Sequence, residues 1–254
     1  MARLVPRRLA PDEQATLVEH LSELRHRLVL CLVALMPAFA LTYGFHRTLI
    51  GWLKDLLPAG TKLVTLGVTE PFTTSVKVSF YAAIGLVLPV LLWQAWAFFA
   101  PALNRQAQRA LSGFVVLSTA LFVGGVLFAY FVLLPRALGF LVGFDGSLYE
   151  EQVRASYFLS FVSLMLLATG LSFQMPIFIL GLVRLGVVSS ATLRRNRRIG
   201  IVVMVAFAIL LPTVDPVSLL FETVPLLVLF ELSIWLAAMM ERRWNPELEP
   251  SLEP

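Results

Sequence analysis

The stretch YFLSFVSLMLLATGLSFQMPIFILGLV, residues 157–183, carries no charged side chain and decides the fold class. A helix of about 20 apolar residues is long enough to cross the roughly 30 Å hydrocarbon core of a bilayer. Of all 254 residues, 58% are hydrophobic and only 14% are charged, whereas a soluble domain has about 25% charged residues. Because the apolar runs are continuous and do not alternate with polar residues, the sequence predicts an all-α integral membrane protein.

Outward from this stretch, six apolar segments predict six transmembrane helices. They are Leu28–Phe45, Val78–Ala100, Phe114–Leu134, Tyr157–Val183, Ile199–Leu211 and Val217–Met240. The fifth is either a short span or one half of a hairpin with the sixth, since a dozen or so helical residues extend only about 20 Å. Prolines lie in or beside most segments, and each is expected to bend its helix and so to favour a curved packing.

Basic residues are divided unevenly between alternate loops. Of the 20 lysines and arginines, 14 fall on the side that holds both termini and the remaining six fall on the other side. The positive-inside rule therefore predicts that both termini lie in the cytoplasm. The two longer loops on the other side, Arg47–Lys77 and Arg136–Ser156, would carry helices that cap that face. We interpret the cluster Arg194–Arg198 as a topology determinant in preference to an anion site.

We expect residues 1–254 to form a single transmembrane domain with two cytoplasmic tails. The first tail, 1–27, ends in an amphipathic surface helix, because its leucines fall on one helical stripe while Glu23 and Arg27 can pair on another. The second tail covers 241–254. No cleavable signal peptide is expected, since the first residues lack an apolar core.

Polar groups inside apolar segments are costly and often functional. Gln174 lies near the middle of the fourth segment, where a functional role and a bond to a neighbouring helix or a freed carbonyl both stay open. Glu222 is expected near the outer end of the sixth segment, within reach of water. Glu231 is deeper and could pair with Arg242. Asp215 lies in the turn before that segment and could cap its helix.

No catalytic or cofactor-binding pattern is present in the chain. His20 and His26 are six residues apart and face different directions on a helix, so they do not form a metal site. The sequence contains no His-Glu-x-x-His, no Gly-x-Ser-x-Gly and no phosphate-binding glycine loop. We therefore expect neither an enzyme nor a bound cofactor.

The run HLSELRHRL, His20–Leu28, resembles the His-Leu-x-Glu-Leu-Arg-x-Arg signature of the TatC family, the multi-span receptor subunit of the twin-arginine protein translocase. Further similar segments follow in the same order as in that family. They are Pro71-Phe72, Trp93–Leu103, Phe128–Phe131, Tyr157–Phe161, Ser172–Pro176 and Asp215–Ser218. The resemblance covers the chain from about Leu17 to Met240.

The resemblance implies six kinked helices in a concave, cupped shape, with short fifth and sixth spans, in the cytoplasmic (inner) membrane of a bacterium. It implies that the chain binds signal peptides with a consecutive arginine pair on folded proteins, which are exported at the expense of the proton-motive force. The implied partners are TatA- and TatB-like single-span subunits, the lipid bilayer and further copies of the chain, and no nucleic acid is implied.

Recognition of two arginines requires fixed carboxylates, because a guanidinium matches a carboxylate in a planar, bidentate arrangement. The expected signal-peptide site consists of Glu23, Arg25, Arg27, Phe98, Pro101 and Leu103. In this site the glutamate receives the arginine pair, and the two arginines position it or meet lipid phosphates. The other three residues form the second side of the site. Asp215 and Leu219 in the last hairpin are expected to contact partner subunits.

The chain departs from the family pattern at several positions. Ala107 stands where a glutamate normally helps to receive the arginine pair, and the neutral residues Asn104, Gln106 and Gln108 surround it. Three further departures are Gln174 in place of glutamate, Pro212 in place of threonine and Leu219 in place of glutamine.

Two other functions stay open on the residues alone. A small-solute or ion transporter would have a charged site at the midplane, discontinuous helices and an internal repeat; only Gln174 and the prolines favour it. A structural scaffold for other membrane proteins is compatible with the charged surface helix.

Overall fold

The computed structural model describes residues 17–58, 60–99, 111–144, 152–211 and 216–244. Over these residues the regular secondary structure is helical apart from two short strands. The helices are α1 Leu17–Gly44, α2 His46–Lys54, α3 Glu70–Phe99, α4 Leu111–Phe128, α5 Leu134–Gly143, α6 Ala155–Ser172, α7 Met175–Arg184, α8 Ser190–Arg195, α9 Arg197–Leu210 and α10 Pro216–Trp244. The strands are β1 Lys62–Val64 and β2 Gln152–Arg154, which pair in parallel.

In the described part of the chain, five helical stretches are long and apolar enough to cross a membrane. They are His20–Gly44, Glu70–Phe98, Ser112–Gly143, Ala155–Arg184 and Pro216–Glu241. These stretches match five of the six apolar segments, so the prediction of a helical membrane protein is confirmed at this level. The remaining segment forms α9, which has 14 residues and extends only about 21 Å at 1.5 Å per residue.

Two of the spans are interrupted next to a proline. In the third span a π-helical turn, Ala129–Leu133, joins α4 to α5 just ahead of Pro135. In the fourth span α6 and α7 are separated at Phe173 and Gln174, and Pro176 occupies the first turn of α7. Proline fits there because an amide in the first turn of a helix has no partner within the helix. In contrast, α1, α3 and α10 continue through Pro37, Pro89 and Pro225.

Successive spans run in opposite directions, which gives the bundle two distinct faces. We call the face with the start of α1 and the end of α10 the terminal face, and the face with α2, β1 and β2 the cap face. Small residues allow α1 and α3 to pack closely, since Ala38, Ala83 and Val87 are buried together. Nearer the cap face the Thr42 hydroxyl donates to the Ser79 carbonyl at 2.8 Å. The packing of α1 against α3 positions the first candidate site.

The cap face is tied together by the carboxylate of Glu70, in the first turn of α3. Its Oε2 accepts from the amides of Leu66 and Gly67 at 2.9 and 3.2 Å. Its Oε1 accepts from Arg154 Nε and from the Ser156 amide, both at 3.1 Å. The hydrogen bond with this carboxylate raises the pKa of Arg154 above its ordinary value. Glu70 therefore joins the loop after β1 to the start of α6, a role that the sequence analysis did not predict.

Candidate functional site

The charged pair predicted at the start of α1 is present in the structure. Arg27 Nε donates to Glu23 Oε1 at 3.0 Å, and its Nη2 donates to the same oxygen. The two side chains are one helical turn apart, which is the spacing at which such pairs meet. Both are partly exposed, with 21% of the Arg27 side chain and 24% of the Glu23 side chain accessible. A water-borne ligand on the terminal face can therefore reach the carboxylate.

Arg27 also connects α1 to the last turns of α3. Its Nη1 donates to Gln94 Oε1 at 3.0 Å, and its Nη2 donates to the carbonyl oxygen of Ala97 at 3.1 Å. The guanidinium thus bridges Glu23 and two acceptors on the facing helix. The sequence analysis placed Gln94 in a motif but gave it no role. A lone amide in an otherwise apolar run was the signal that could have identified it.

Aromatic contacts define the second side of this site. The rings of His20 and Phe98 stack with centroids 4.3 Å apart. Phe98, a predicted member of the site, therefore lies next to the turn that carries Glu23. Arg25, a further predicted member of the site, is exposed on α1.

 The remaining predicted members, Pro101 and Leu103, lie outside the described residues, as does Ala107.

The end of α3 is held in place by Trp96. Its ring lies 5.5 Å from the ring of Phe114 in α4, and it packs against Gly181 in α7. A Cβ atom at position 181 would come within 2.3 Å of the Trp96 ring, so only glycine permits this approach. Because Gln94, Ala97 and Trp96 share the last turns of α3, this packing also fixes the acceptors that hold Arg27.

The arrangement at Glu23 can bind a planar cation but shows no means of catalysis. Both bonds from Arg27 go to Oε1, so Oε2 receives no donor from the described part of the chain. Within the same part of the chain, no group of three His, Cys, Asp or Glu side chains is arranged to hold a metal ion. A partly exposed carboxylate with one open oxygen is suited to a second guanidinium.

Of the two polar residues Gln174 and Glu222 within the spans, Glu222 has a different environment from the one expected. Gln174 Nε2 donates to the Ser118 carbonyl at 3.1 Å, which is the bond to a neighbouring helix that the sequence analysis considered. Glu222, in contrast, was expected to reach water and is only 1% exposed. Its Oε1 accepts from the Thr169 hydroxyl at 3.1 Å. The expectation was wrong because Glu222 faces the interior of the bundle, where it meets Thr169 of α6.

Two further residues that the sequence analysis singled out, Leu219 and Glu231, lie in α10. Glu231 pairs with Arg197 at 3.1 Å, whereas the sequence analysis considered a pair with Arg242. Leu219 is partly buried near the start of α10, and Asp215 lies outside the described residues.

Comparisons with known proteins agree with the motifs and with the fold. The family model described as Sec-independent protein translocase protein (TatC) matches residues 19–225. The Sec-independent protein translocase protein TatC of Magnetococcus marinus is 33% identical, over 91% of this chain and 87% of the relative. The protein of the same name from Escherichia coli is 33% identical, over 89% of this chain and 90% of the relative.

A solved structure shares the fold of this chain. It is a crystal structure of the twin arginine translocase receptor TatC, with a TM-score of 0.78 and 33% sequence identity. The match covers 86% of this chain and 99% of that one. The ordered motifs, the helical membrane fold and these matches have one explanation: the chain belongs to the TatC family of Sec-independent protein translocase subunits.

Proposed function

We propose that this chain is the subunit that binds signal peptides with a consecutive arginine pair, on folded proteins that are exported across the bacterial cytoplasmic membrane by the proton-motive force. The observation that carries the proposal is the position of Glu23. Its carboxylate is fixed at the terminal face, partly exposed and, among the described residues, bonded through only one of its oxygens. Arginine binds such a carboxylate in a way that lysine, a point charge without a planar fork, does not reproduce.

Arg27 gives the site a simple way to accept an incoming arginine. Its guanidinium has two acceptors on α3, Gln94 and the Ala97 carbonyl, so it stays bonded when a peptide arginine takes the carboxylate. Phe98 supplies an apolar surface beside the pair, and Pro101 and Leu103 extend that surface in the proposal. Arg25 is exposed two residues from Glu23 along α1, where it would meet lipid phosphates. Arg27 is thus a positioning residue in this scheme, and Glu23 is the binding residue.

The test is peptide binding by the full chain in detergent. Glu23→Gln keeps the shape of the side chain and removes its charge, so a peptide with paired arginines should bind roughly tenfold to a hundredfold more weakly, as expected for the loss of a charge-assisted bond. Asp55→Asn removes an exposed carboxylate from the cap face and should leave binding unchanged. The parent should prefer paired arginines over paired lysines. Equal binding of the two peptides would rule out the receptor role, and unchanged binding by Glu23→Gln would rule out this site.

The same proposal includes a membrane topology. α9 serves as the short fifth span, so that six kinked helices form a cupped bundle with both termini in the cytoplasm. The uneven division of basic residues between alternate loops of the sequence supports this orientation. Residues 1–27 and 241–254 would then be the cytoplasmic tails of one transmembrane domain, 1–254. Labelling of single cysteines placed in the two tails with a membrane-impermeant reagent tests it; reaction from the outside of intact cells would contradict it.

We also propose that TatA- and TatB-like single-span subunits, and further copies of this chain, bind at the last hairpin. Leu219 lies near the start of α10 and follows Asp215 in the chain, and the neighbouring Leu220 is 63% exposed, which supports a helix-packing surface. Cross-linking from a cysteine at position 220 should capture a single-span partner. A cysteine at position 222, which is buried, is the matched control and should not.

A further inference from the structure

A cavity of about 300 Å³ lies where α8, α9 and α10 meet on the terminal face. The described residues that line it are Arg194, Arg197, Ile234 and Trp235. Two guanidinium groups therefore face an apolar wall, of which Ile234 is buried and Trp235 is 59% exposed. We call this feature the arginine cavity. It is separate from the Glu23 site, which is built from α1 and α3.

The charged pair at the arginine cavity lies within the last span and not at its end. Arg197 pairs with Glu231, and Glu231 lies inside the apolar stretch Pro216–Glu241. Ala237, further along α10, is buried in one cluster with Val183 near the end of α7. The charged pair therefore precedes Ala237 by about 9 Å along α10, at 1.5 Å per residue.

The exposure of this pair shows that a polar medium must reach it. Arg197 is 52% and Glu231 is 45% exposed, and half-exposed charges are not stable against hydrocarbon. The adjoining apolar side chain of Trp235 is equally open, with 59% exposure. A ligand that fits this boundary has an anionic head for the arginines and an apolar tail for the wall.

We propose that the arginine cavity binds the phosphate of an anionic phospholipid, with an acyl chain along Trp235. Basic pockets between helices recognise anionic headgroups, and guanidinium groups bind phosphate through paired hydrogen bonds. Tryptophan is favoured at the level of the headgroups. Glu231 neutralises part of the positive charge of Arg197. The cavity therefore suits a phosphodiester with a single negative charge. A free phosphate ion would leave the apolar wall uncovered, which is why the lipid is the occupant.

The chain supplies its own matched control for a test. Arg194 and Arg197 line the cavity, whereas Arg195 and Arg198 belong to the same run, are also exposed and do not line it. Arg194→Gln with Arg197→Gln therefore removes the same charge from the same segment as Arg195→Gln with Arg198→Gln. Binding of dioctanoyl phosphatidylglycerol to the full chain in neutral detergent would be measured by native mass spectrometry. Dioctanoyl phosphatidylcholine and inorganic phosphate serve as comparison ligands.

The cavity variant should bind phosphatidylglycerol roughly tenfold or more weakly than the parent, since it loses charge-assisted bonds to the phosphate. The control variant should bind as the parent does, and phosphatidylcholine should bind the parent weakly. Equal loss in both variants would show diffuse attraction and overturn the proposal. Displacement of the lipid by inorganic phosphate would overturn it in favour of a free-ion site.

Two further variants distinguish a loss of lipid binding from a loss of the fold. Arg197→Gln leaves Glu231 without its partner, so Arg197→Gln combined with Glu231→Gln removes the pair together. Arg194→Gln alone keeps the pair intact. Both variants should lose phosphatidylglycerol binding while keeping the thermal midpoint of the parent. Retained binding in both would overturn the proposal.

Discussion

Two carboxylates, one on each face of the bundle, are held in opposite ways. Glu70 on the cap face is 5% exposed and accepts from four donors, two on each oxygen. Glu23 on the terminal face is 24% exposed at its side chain and is bonded to Arg27 through one oxygen. A carboxylate whose acceptor sites are filled stabilises the fold, whereas one with an open oxygen at the surface can still bind a cation. The share of its acceptor sites that is filled by hydrogen bonds thus distinguishes a structural carboxylate from a binding one.

The largest expected effect comes from Glu70→Gln. An amide has one oxygen and one NH₂ group, and either orientation directs the NH₂ group at two donors that the carboxylate now satisfies. A buried donor without an acceptor destabilises the fold. We expect the largest drop in thermal midpoint among the variants discussed, measured in detergent by circular dichroism. Glu23→Gln is the companion variant and should melt as the parent does. A Glu70→Gln protein with parental stability would remove the distinction between the two carboxylates.

A second variant tests whether packing behind α3 supports the terminal face. Gly181→Ala places a Cβ atom 2.3 Å from the Trp96 ring and should destabilise the protein by about 1–3 kcal/mol, as overpacking does. Displacement of Trp96 would also shift Gln94 and weaken peptide binding. Gly124→Ala is the control, because a Cβ atom there meets nothing within 4 Å. Equal stability of the two variants would show that Trp96 relocates without effect.

A smaller effect is expected from Arg27→Lys. Lysine keeps the charge but cannot bond Glu23, Gln94 and the Ala97 carbonyl together, because it lacks the planar fork. Exposed ion pairs contribute only about 0–1 kcal/mol, so the thermal midpoint should change little. Binding of a paired-arginine peptide should fall by roughly tenfold, since the carboxylate is no longer held in place. Parental affinity in this variant would mean that Glu23 needs no positioning by α1 and α3.

The features that the sequence predicted depend on residues close together in the chain. Continuous apolar runs located the spans, because hydrophobic length is a local property. The Glu23–Arg27 pair followed from a spacing of one helical turn. Prolines marked where the fourth span is interrupted, since the missing amide acts within one turn. Local chemistry therefore predicted most of the fold and half of the Glu23 site.

The features that were missed depend on contacts between distant segments. Arg154 is 84 residues from Glu70, and no spacing rule joins them. The pairing of β1 with β2 likewise brings together two loops whose sequences carry no strong strand signal. The burial of Glu222 depends on which face of α10 meets α6, and a helix that is apolar all round gives no indication of that face. Tertiary packing decides these cases.

The smallest expected effect is that of Glu222→Gln. Glu222 is buried and accepts one hydrogen bond from Thr169, and an amide oxygen of the same shape can accept that bond equally well. A negative charge on Glu222 would not stabilise the fold, because burying an ionised group in hydrocarbon is more costly than burying an amide. Stability and export of twin-arginine substrates should therefore both match the parent, whereas Thr169→Val should cost about 1 kcal/mol by removing the donor. Loss of export in Glu222→Gln, at parental stability, would show that this buried carboxyl takes part in transport, so that surface exposure would no longer distinguish a functional carboxylate from a structural one.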